Sequence, residues 1–269
     1  MGSLLGAGGT ARVYLAEDTT TGRQVAVKVL NRELLTDRDM RVRFQKEAAL
    51  LWQLDHPGIV KLLKFEEREL EGLLLVLEWV EGVRLDQLMA REAVRGAVAL
   101  ELLAQLASAL GAIHWNSIAH RDVKPENVIV TQWPDRPQVK LLDFGIARFT
   151  DPEEAARMAQ PDPTRVGGTP SYVSPEQVSG GPIVAASDVY SFGVVAYQLL
   201  SGQAPFTGSQ SGILRAHATA APPPLAPLDA SLTGHPALEV IMQCLAKRPE
   251  DRPPNGAAVE ALLRAPPRT

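Results

Sequence analysis

The chain has 269 residues, of which 45% are hydrophobic and 22% are charged, and its formal net charge is −4. This composition is typical of a folded globular protein, and the length is sufficient for two lobes or one large domain. The acidic balance argues against nucleic acid or an anionic membrane surface as a partner, because it provides no basic field. Cys244 is the only cysteine, which rules out an internal disulfide and indicates a reducing compartment; we expect a small buried apolar side chain.

Targeting signals are not expected in this sequence. The longest apolar runs, at residues 72–77 and 189–200, are shorter than the roughly 20 residues that a membrane span needs. The first residues lack the regions of a secretory signal, and Gly6 stands where N-myristoylation requires Ser or Thr. Because so little chain precedes the first predicted strand, we expect either further residues upstream or an appended sequence within residues 1–3.

The first predicted feature is a glycine-rich hairpin. Gly6, Gly8 and Gly9 separate a short strand at residues 4–5 from the strand-like residues 13–16. A dinucleotide-binding fingerprint would require a helix after the glycines, so that reading is disfavoured. A turn without side chains can donate backbone N–H groups to phosphates, although a plain tight turn fits the pattern equally well.

Another strand and a helix follow the hairpin. Residues 24–30 alternate as a strand does and carry Lys28, which would usually extend to solvent from such a position. Residues 39–54 have a helical apolar period with Glu47 beside the apolar stripe, and Glu47 could pair with Lys28. Two strand-like runs, at residues 59–65 and 73–77, complete a β-rich portion that closes at Gly82.

The chain then becomes helical, with predicted helices at residues 85–91 and 98–115. The second helix leads into His120-Arg121-Asp122-Val123-Lys124-Pro125-Glu126-Asn127, a loop that concentrates an acid, a base and an amide. From this composition alone, a solvated turn and a catalytic loop fit equally well. A predicted hairpin of residues 128–130 and 139–142 follows and leads to Asp143-Phe144-Gly145.

Periodicity disappears over residues 148–168, which are polar and acidic, so we predict a mobile segment. Order resumes around Thr169 and continues through Ser174-Pro175-Glu176. Further helices are predicted at residues 188–200, ending at Gly202, at residues 235–246, and after Pro253. The proline-rich end, residues 265–269, is typical of a linker.

Taken in order, these motifs resemble the protein kinase superfamily, and most closely the eukaryotic-like serine/threonine kinases of bacteria. The resemblance covers nearly the whole chain. It implies an α+β, bilobal kinase-like fold for residues 1–269, with a small antiparallel β-rich N-lobe at residues 1–80 that carries one main helix. The larger C-lobe, residues 81–269, would be mainly α-helical and would contain the activation segment at residues 143–176.

The resemblance also implies a catalytic set. Asp122 would orient the substrate hydroxyl and accept its proton, and Lys124 would stabilise charge on the transferring phosphoryl group. Asn127 and Asp143 would hold Mg²⁺, with Mn²⁺ as an alternative, because both offer hard oxygen ligands.

ATP is the implied nucleotide. Lys28 would contact its α- and β-phosphates, and Glu47 would fix Lys28 through an ion pair. Glu78 and Val80 would supply backbone contacts to adenine, although an apolar core position fits Val80 nearly as well. The other implied nucleotide-binding residues are Leu5, Gly6, Ala7, Gly8, Gly9, Thr10, Ala11, Val13, Ala26, Ile129 and Asp143. Ala11 departs from the family pattern by replacing the third glycine.

Several residues acquire supporting roles from the resemblance. Asp188 would brace the catalytic loop, and Arg252 would pair with Glu176. Arg121 would bind a phosphate on the mobile segment, which makes Thr164 the favoured site of autophosphorylation. Thr150 is the second candidate.

The implied partners are protein substrates with Ser or Thr acceptors and a second copy of the chain for trans-autophosphorylation, with no nucleic acid. The implied location is the cytoplasm, either as a separate protein or as the cytoplasmic part of a larger chain in bacterial signalling. Two alternatives remain open. A pseudokinase scaffold would usually lack the Lys, Asp or Asn that this sequence retains, and a small-molecule phosphotransferase would generally lack the segment at residues 169–176.

Overall fold

A computed structural model of the protein describes residues 2–68, 72–143, 148–149 and 170–265. The chain divides into two compact units, Met1–Glu81 and Gly82–Thr269, and each is described by itself. Apart from residues 148 and 149, the segment predicted to be mobile lies outside the described residues.

The first unit is built on a five-stranded antiparallel sheet with the order β1-β2-β3-β5-β4. Val25 and Val27 on β3 pack with Leu74 on β5 in a buried cluster, because side chains two residues apart point to the same face of a strand. The strands are β1 (Leu4–Ala7), β2 (Ala11–Asp18), β3 (Arg23–Leu30), β4 (Leu62–Arg68) and β5 (Gly72–Glu78).

One long helix, α1 (Arg38–Gln53), packs against β4 and β5 of this sheet. Its first turn is capped by the Asp37 carboxylate, which accepts hydrogen bonds from the backbone N–H groups of Asp39 and Met40. Its buried face carries the predicted apolar residues and, unexpectedly for a charged side chain, Glu47.

The second unit is mainly helical. Its helices are α2 (Leu85–Ala90), α3 (Gly96–Trp115), α4 (Pro175–Ser179), α5 (Ala185–Ser201), α6 (Gln210–Thr219), α7 (Ala237–Cys244) and α8 (Gly256–Arg264). Gly202 ends α5 with a left-handed φ of 76°, as its position after the apolar run predicted. Cys244 is fully buried, as predicted, and burial raises the pKa of its thiol to about 12.

Close contacts between helices depend on glycine at two positions of this unit. A Cβ atom on Gly193 of α5 would lie 2.8 Å from the Cβ atom of Cys244 on α7. A Cβ atom on Gly256, at the start of α8, would lie 2.4 Å from the carbonyl oxygen of Ala107 on α3. Both distances are shorter than van der Waals contact, so these helices pack at this separation only with glycine.

Two small antiparallel sheets carry the loops of the second unit. One has the order β6-β8-β9 and consists of β6 (Val83–Arg84), β8 (Val128–Thr131) and β9 (Gln138–Leu141). The other pairs β7 (Ile118–Ala119) with β10 (Arg148–Phe149). The β8-β9 hairpin brings Asn127 and Leu142 together at its base, where the N–H of Leu142 donates to the carbonyl of Asn127 at 2.7 Å.

Among the described residues, α3 is long and apolar enough to meet the requirements of a membrane-crossing helix. The sequence predicted a helix at residues 98–115, but the search for membrane spans considered only uninterrupted apolar runs and therefore did not select this helix, which contains Glu101. Within the fold, 56% of its apolar window is buried, and Leu102, Leu106 and Leu110 are at most 1% exposed. Packing in the core of the unit therefore accounts for its apolar character.

This architecture confirms the predicted α+β fold class. A β-rich antiparallel unit with one main helix precedes a larger, mainly helical unit.

Candidate active site

In the N-terminal unit, Lys28 and Glu47 form a buried ion pair. Nζ of Lys28 lies 2.8 Å from Oε1 of Glu47, and the two side chains are only 9% and 4% exposed. Lys28 is held between Val13 on β2 and Leu75 on β5 by the strand register, so its side chain leaves the sheet toward α1. A lysine on a strand usually extends to solvent, but Lys28 is buried because its ammonium pairs with the carboxylate of Glu47 inside the same unit.

The glycine-rich turn between β1 and β2 is fixed by a side chain that sequence reasoning missed. Nδ2 of Asn31 donates to the carbonyl oxygens of both Gly8 and Gly9 at 3.0 Å. The N–H of Gly8 also donates to the carbonyl of Ala11 at 2.9 Å. Asn31 follows β3 directly, so the turn is tied to the strand that carries Lys28.

The other residues expected to bind the nucleotide in this unit differ in exposure. Leu5, Gly6, Ala7, Gly8 and Gly9 are exposed, Thr10, Val13, Ala26 and Glu78 are half-buried, and Ala11 and Val80 are buried. The N–H of Lys61 donates to Oε1 of Glu78 at 3.0 Å, which anchors the end of β5. The burial of Val80 agrees with an apolar core position, which was the second interpretation of this residue.

In the C-terminal unit, the loop between β7 and β8 assembles Asp122, Lys124 and Asn127. Nζ of Lys124 lies 2.9 and 2.7 Å from the two carboxylate oxygens of Asp122. Nδ2 of Asn127 donates to Oδ2 and to the carbonyl oxygen of Asp122, both at 2.9 Å. The Asp122 carboxylate is 20% exposed, so it combines fixed geometry with access to solvent. A solvated turn was one of the two interpretations that the composition of this loop allowed. The loop is not of that kind, because its polar side chains are hydrogen-bonded to one another.

Asp188, at the start of α5, holds this loop by its backbone. Its two oxygens accept hydrogen bonds from the N–H groups of His120 at 2.6 Å and Arg121 at 2.7 Å. Arg121 has a φ of 69°, a conformation that costs a non-glycine residue on the order of 1–3 kcal/mol and therefore needs such support. Burial alone would raise the pKa of Asp188, but the hydrogen bond from His114 and the backbone N–H of Arg121 contribute to outweighing it, so the pKa is lowered.

His120 connects the loop to the hairpin that follows. The N–H of Asp122 donates to Nδ1 of His120 at 3.3 Å, so Nε2 carries the proton and donates to the carbonyl of Leu142 at 3.2 Å. Asp143 comes next, with a φ of 37°. The position of Asp143 beside the base of the hairpin is therefore set by both His120 and Asn127.

A second buried ion pair lies within the C-terminal unit. Arg252 donates from Nη1 and Nη2 to the two carboxylate oxygens of Glu176, at 2.8 and 2.9 Å. Burial would raise the pKa of Glu176, but the hydrogen bonds and charge of Arg252 lower it overall. Gln177 caps α4 by accepting from the N–H of Ser174, and its Nε2 reaches the carbonyl of Arg121 at 3.3 Å. The start of α4 is thus tied to the loop that carries Asp122.

Other predicted residues lie outside the described part of the chain. These are Phe144, Gly145, Thr150, Thr164 and Thr169.

Ile129, the remaining residue expected to bind the nucleotide, is half-buried on β8 and pairs with Lys140 of β9.

The protein kinase domain family matches residues 1–264. The chain belongs to the protein kinase family. Three bacterial relatives are similar to this chain over nearly its whole length. The chain is 41% identical over 266 residues to the serine/threonine-protein kinase pkn2 of Myxococcus xanthus. This match covers 97% of this chain and 31% of that protein.

Two further kinase relatives are of similar closeness. The chain is 38% identical to the serine/threonine-protein kinase PknB of Mycobacterium tuberculosis, over 98% of this chain and 42% of that protein. It is 36% identical to the serine/threonine-protein kinase PkaA of Streptomyces coelicolor, over 93% of this chain and 46% of that protein. The chain therefore spans less than half the length of each of these three kinases.

Sequence reasoning missed three residues that hold the kinase site together. They are Asn31, His114 and Gln177. His114 accepts the N–H of Gly256 at Nδ1, 3.0 Å away, and lies 3.0 Å from Asp188 through Nε2. Its position in the last turn of α3 was visible in the sequence, but no local pattern indicated a partner so distant along the chain.

Proposed function

We propose that the protein is a serine/threonine protein kinase, which transfers the γ-phosphoryl group of ATP to Ser and Thr hydroxyls of proteins. One observation carries this proposal. The Asp122 carboxylate is held between the Lys124 ammonium and the Asn127 amide at 2.7–2.9 Å, while remaining partly open to solvent. This is the arrangement that phosphoryl transfer to a hydroxyl requires, because positioning and electrostatics supply most of its catalysis.

Asp122 is the proposed base. Its carboxylate orients the acceptor hydroxyl and takes its proton as the hydroxyl oxygen forms a bond to the γ-phosphorus. The bond between that phosphorus and the bridging oxygen breaks, and ADP leaves. Lys124, which contacts both oxygens of Asp122, places its positive charge where negative charge develops on the transferring group.

Asn127 and Asp143 are the proposed Mg²⁺ ligands of this chain. Nδ2 of Asn127 is committed to Asp122 by two hydrogen bonds, so Oδ1 is the atom left to face a metal. Amide and carboxylate oxygens are the donors that Mg²⁺ prefers, and it takes its other ligands from phosphates and water. The described residues contain no group of three or more His, Cys, Asp or Glu side chains that could hold a metal by themselves. When bound, Mg²⁺ neutralises the charge of the phosphates; Mn²⁺ fits the same donors.

The N-terminal unit is the proposed site for the rest of the nucleotide. Glu47 fixes the Lys28 ammonium for the α- and β-phosphates, and Asn31 orders the glycine turn whose N–H groups would cover them. The proposal for Ala26, Glu78 and Val80 rests on the family resemblance.

Lys124 and Thr169 favour Ser/Thr acceptors over Tyr, and the names of the bacterial relatives support the same choice. Regulation by autophosphorylation between copies of the chain, with Thr164 favoured over Thr150, follows from Arg121 in the catalytic loop. A cytoplasmic location and a role in bacterial signalling are part of the same proposal.

The test compares Asp122→Asn with the matched carboxylate-to-amide change Asp135→Asn in the exposed turn between β8 and β9. Each variant is incubated with Mg²⁺ and γ-labelled ATP, with and without a generic basic protein as acceptor. We expect Asp122→Asn to lower labelling about 10²–10⁴-fold, the usual contribution of a general base, and Asp135→Asn to label as wild type does. Phosphosite mapping of the labelled wild-type chain by mass spectrometry then locates the modified residues.

Equal labelling of the wild type and Asp122→Asn would overturn the proposal. No labelling of any protein, together with no thermal stabilisation of the wild type by ATP and Mg²⁺, would point to a pseudokinase scaffold. Labelling of a small alcohol in preference to the basic protein would point to a small-molecule phosphotransferase.

A further inference from the structure

A shallow cavity lies in the C-terminal unit, between the start of α3 and the turn that joins β8 to β9. Its volume is about 370 Å³. Its lining residues are Ala97, Val98, Glu101, Gln105, Arg136, Pro137 and Gln138. Ala97, Val98 and Pro137 make its surface mainly apolar, and Val98 is 41% exposed.

Two of the polar side chains that line this cavity, Glu101 and Gln105, are already engaged within the fold. Oε1 of Gln105 accepts the N–H of Val139 at 2.9 Å, and Nε2 of Gln105 donates to Oε1 of Glu101 at 3.0 Å. Glu101 also pairs with Arg264, the last residue of α8, at 3.0 Å. Because Glu101 and Gln105 already have partners and the surface between them is mainly apolar, the cavity favours an apolar occupant.

Helix α8 runs antiparallel to α3 and is directed toward the cavity. Gly256, its first residue, lies against Ala107 and Gly111, whereas Arg264 reaches Glu101. Ala97 is one further turn along α3, about 6 Å away at a rise of 1.5 Å per residue. The chain that leaves α8 after Arg264 is thus directed toward the surface formed by Ala97 and its neighbours.

We propose that the cavity is the intramolecular docking site of Pro266 and Pro267. These residues follow α8 after a single alanine, and residues 266–269 lie outside the described part of the chain. Two prolines in extended form span about 6 Å, the distance from Glu101 to Ala97 along α3. Their rings are apolar, they have no N–H groups to desolvate, and their restricted backbone loses little entropy on binding.

Docking at this position would couple the end of the kinase domain to its metal-binding residues. The cavity is walled by the tip of the β8-β9 hairpin, and the base of that hairpin joins Asn127 to Leu142, the residue before Asp143. A bound proline segment would brace the tip of this hairpin. The inference is independent of the proposed catalytic activity.

Disulfide trapping in the 269-residue chain tests the proposal. The reporter pair is Arg268→Cys with Gln138→Cys at the cavity rim; the control pair is Arg268→Cys with Ala261→Cys, an exposed residue of α8 nearer in sequence. The native Cys244 is fully buried and does not interfere. We expect the reporter pair to form an intramolecular disulfide in oxidised glutathione at least about fivefold faster than the control pair, because docking raises the local concentration.

Two further variants of the reporter chain probe the cause of the faster trapping. Val98→Asp places a charge in the cavity at an exposed position that tolerates it, and the double change Pro266→Gly with Pro267→Gly removes the rings. Both are expected to lower the reporter rate to that of the control pair. Equal rates for the two pairs in the parent chain, or a reporter rate insensitive to Val98→Asp, would overturn the proposal, as would disulfides that form only between two chains.

Discussion

Glu176 and Arg252, which are 76 residues apart in sequence, form a bidentate ion pair with N–O distances of 2.8 and 2.9 Å. The Arg252 side chain is fully buried, and its remaining N–H groups donate to three carbonyl oxygens, those of Ala186, Ala246 and Lys247. The planar guanidinium satisfies all these acceptors at once, which an ammonium cannot do. This pair therefore joins α4, the start of α5 and the segment after α7.

Glu176→Gln is expected to destabilise the C-terminal unit by about 3–5 kcal/mol, because it leaves the Arg252 charge buried without its carboxylate partner. Urea unfolding followed by circular dichroism measures this change. The control is Glu250→Gln, which removes the exposed partner of Arg248 and should leave the unfolding midpoint unchanged. Equal midpoints for Glu176→Gln and wild type would show that the buried pair does not contribute to stability.

Lys28→Met is expected to abolish phosphoryl transfer and also to lower stability, because it removes the ammonium that lies 2.8 Å from the buried carboxylate of Glu47. The double variant Lys28→Met with Glu47→Leu should recover most of the lost stability without recovering activity. Thermal unfolding and labelling assays on the same samples separate the two effects. An active double variant would contradict the role proposed for Lys28 on the phosphates of ATP.

Asp188→Asn is expected to lower kcat by about 10²-fold, because a displacement of about 1 Å in a catalytic group has an effect of this size. The amide cannot accept both backbone N–H bonds from His120 and Arg121 in the way that the carboxylate does. His114→Gln, which removes the imidazole contacts to Asp188 and to the N–H of Gly256 but leaves both backbone donors to Asp188 in place, should have a smaller effect. The KM for ATP should change little in either variant, and a large increase in that KM with kcat unchanged would argue against positioning of the loop.

The stability of the protein is expected to fall between pH 6.5 and pH 4 because of His217. Burial and the nearby charge of Lys247 lower the pKa of His217 from 6.5 to about 4. Nδ1 of His217 lies 2.9 Å from the Tyr190 hydroxyl, which also accepts a hydrogen bond from Lys247 at 3.2 Å. The unfolded chain therefore binds a proton in this pH range that the folded chain does not, so lower pH favours unfolding.

The loss attributable to His217 is at most about 3–4 kcal/mol, since its pKa differs by about 2.5 between the two states and each unit corresponds to about 1.4 kcal/mol. His217→Gln retains an acceptor for the Tyr190 hydroxyl and should show a shallower pH dependence in this range. Above pH 7 the two proteins should have parallel stability curves, because the imidazole is neutral in both states. Parallel curves from pH 4 to pH 7 would refute the assignment to His217.

Much of the local structure could be predicted from the sequence. The alternation around Lys28 predicted β3, the apolar period before Leu54 predicted α1, and Gly202 marked the end of α5. These predictions succeeded because strand and helix periods, and the left-handed conformation of a glycine cap, depend on residues close together in the chain. The sequence also showed that the loop from His120 to Asn127 contains an acid, a base and an amide.

The tertiary structure alone decided which of these residues meet and how deeply they are buried. Glu47 lies in the core because Lys28 neutralises it there, and Asp188 reaches the His120 and Arg121 backbone across 67–68 residues of chain. Asn31 and His114 carry no local motif, yet they fix the glycine turn and the Asp188 carboxylate. The sequence by itself determined the elements and the chemistry available to them. The long-range hydrogen bonds depended on packing, because a buried polar group is satisfied only by the partner that the completed fold places beside it.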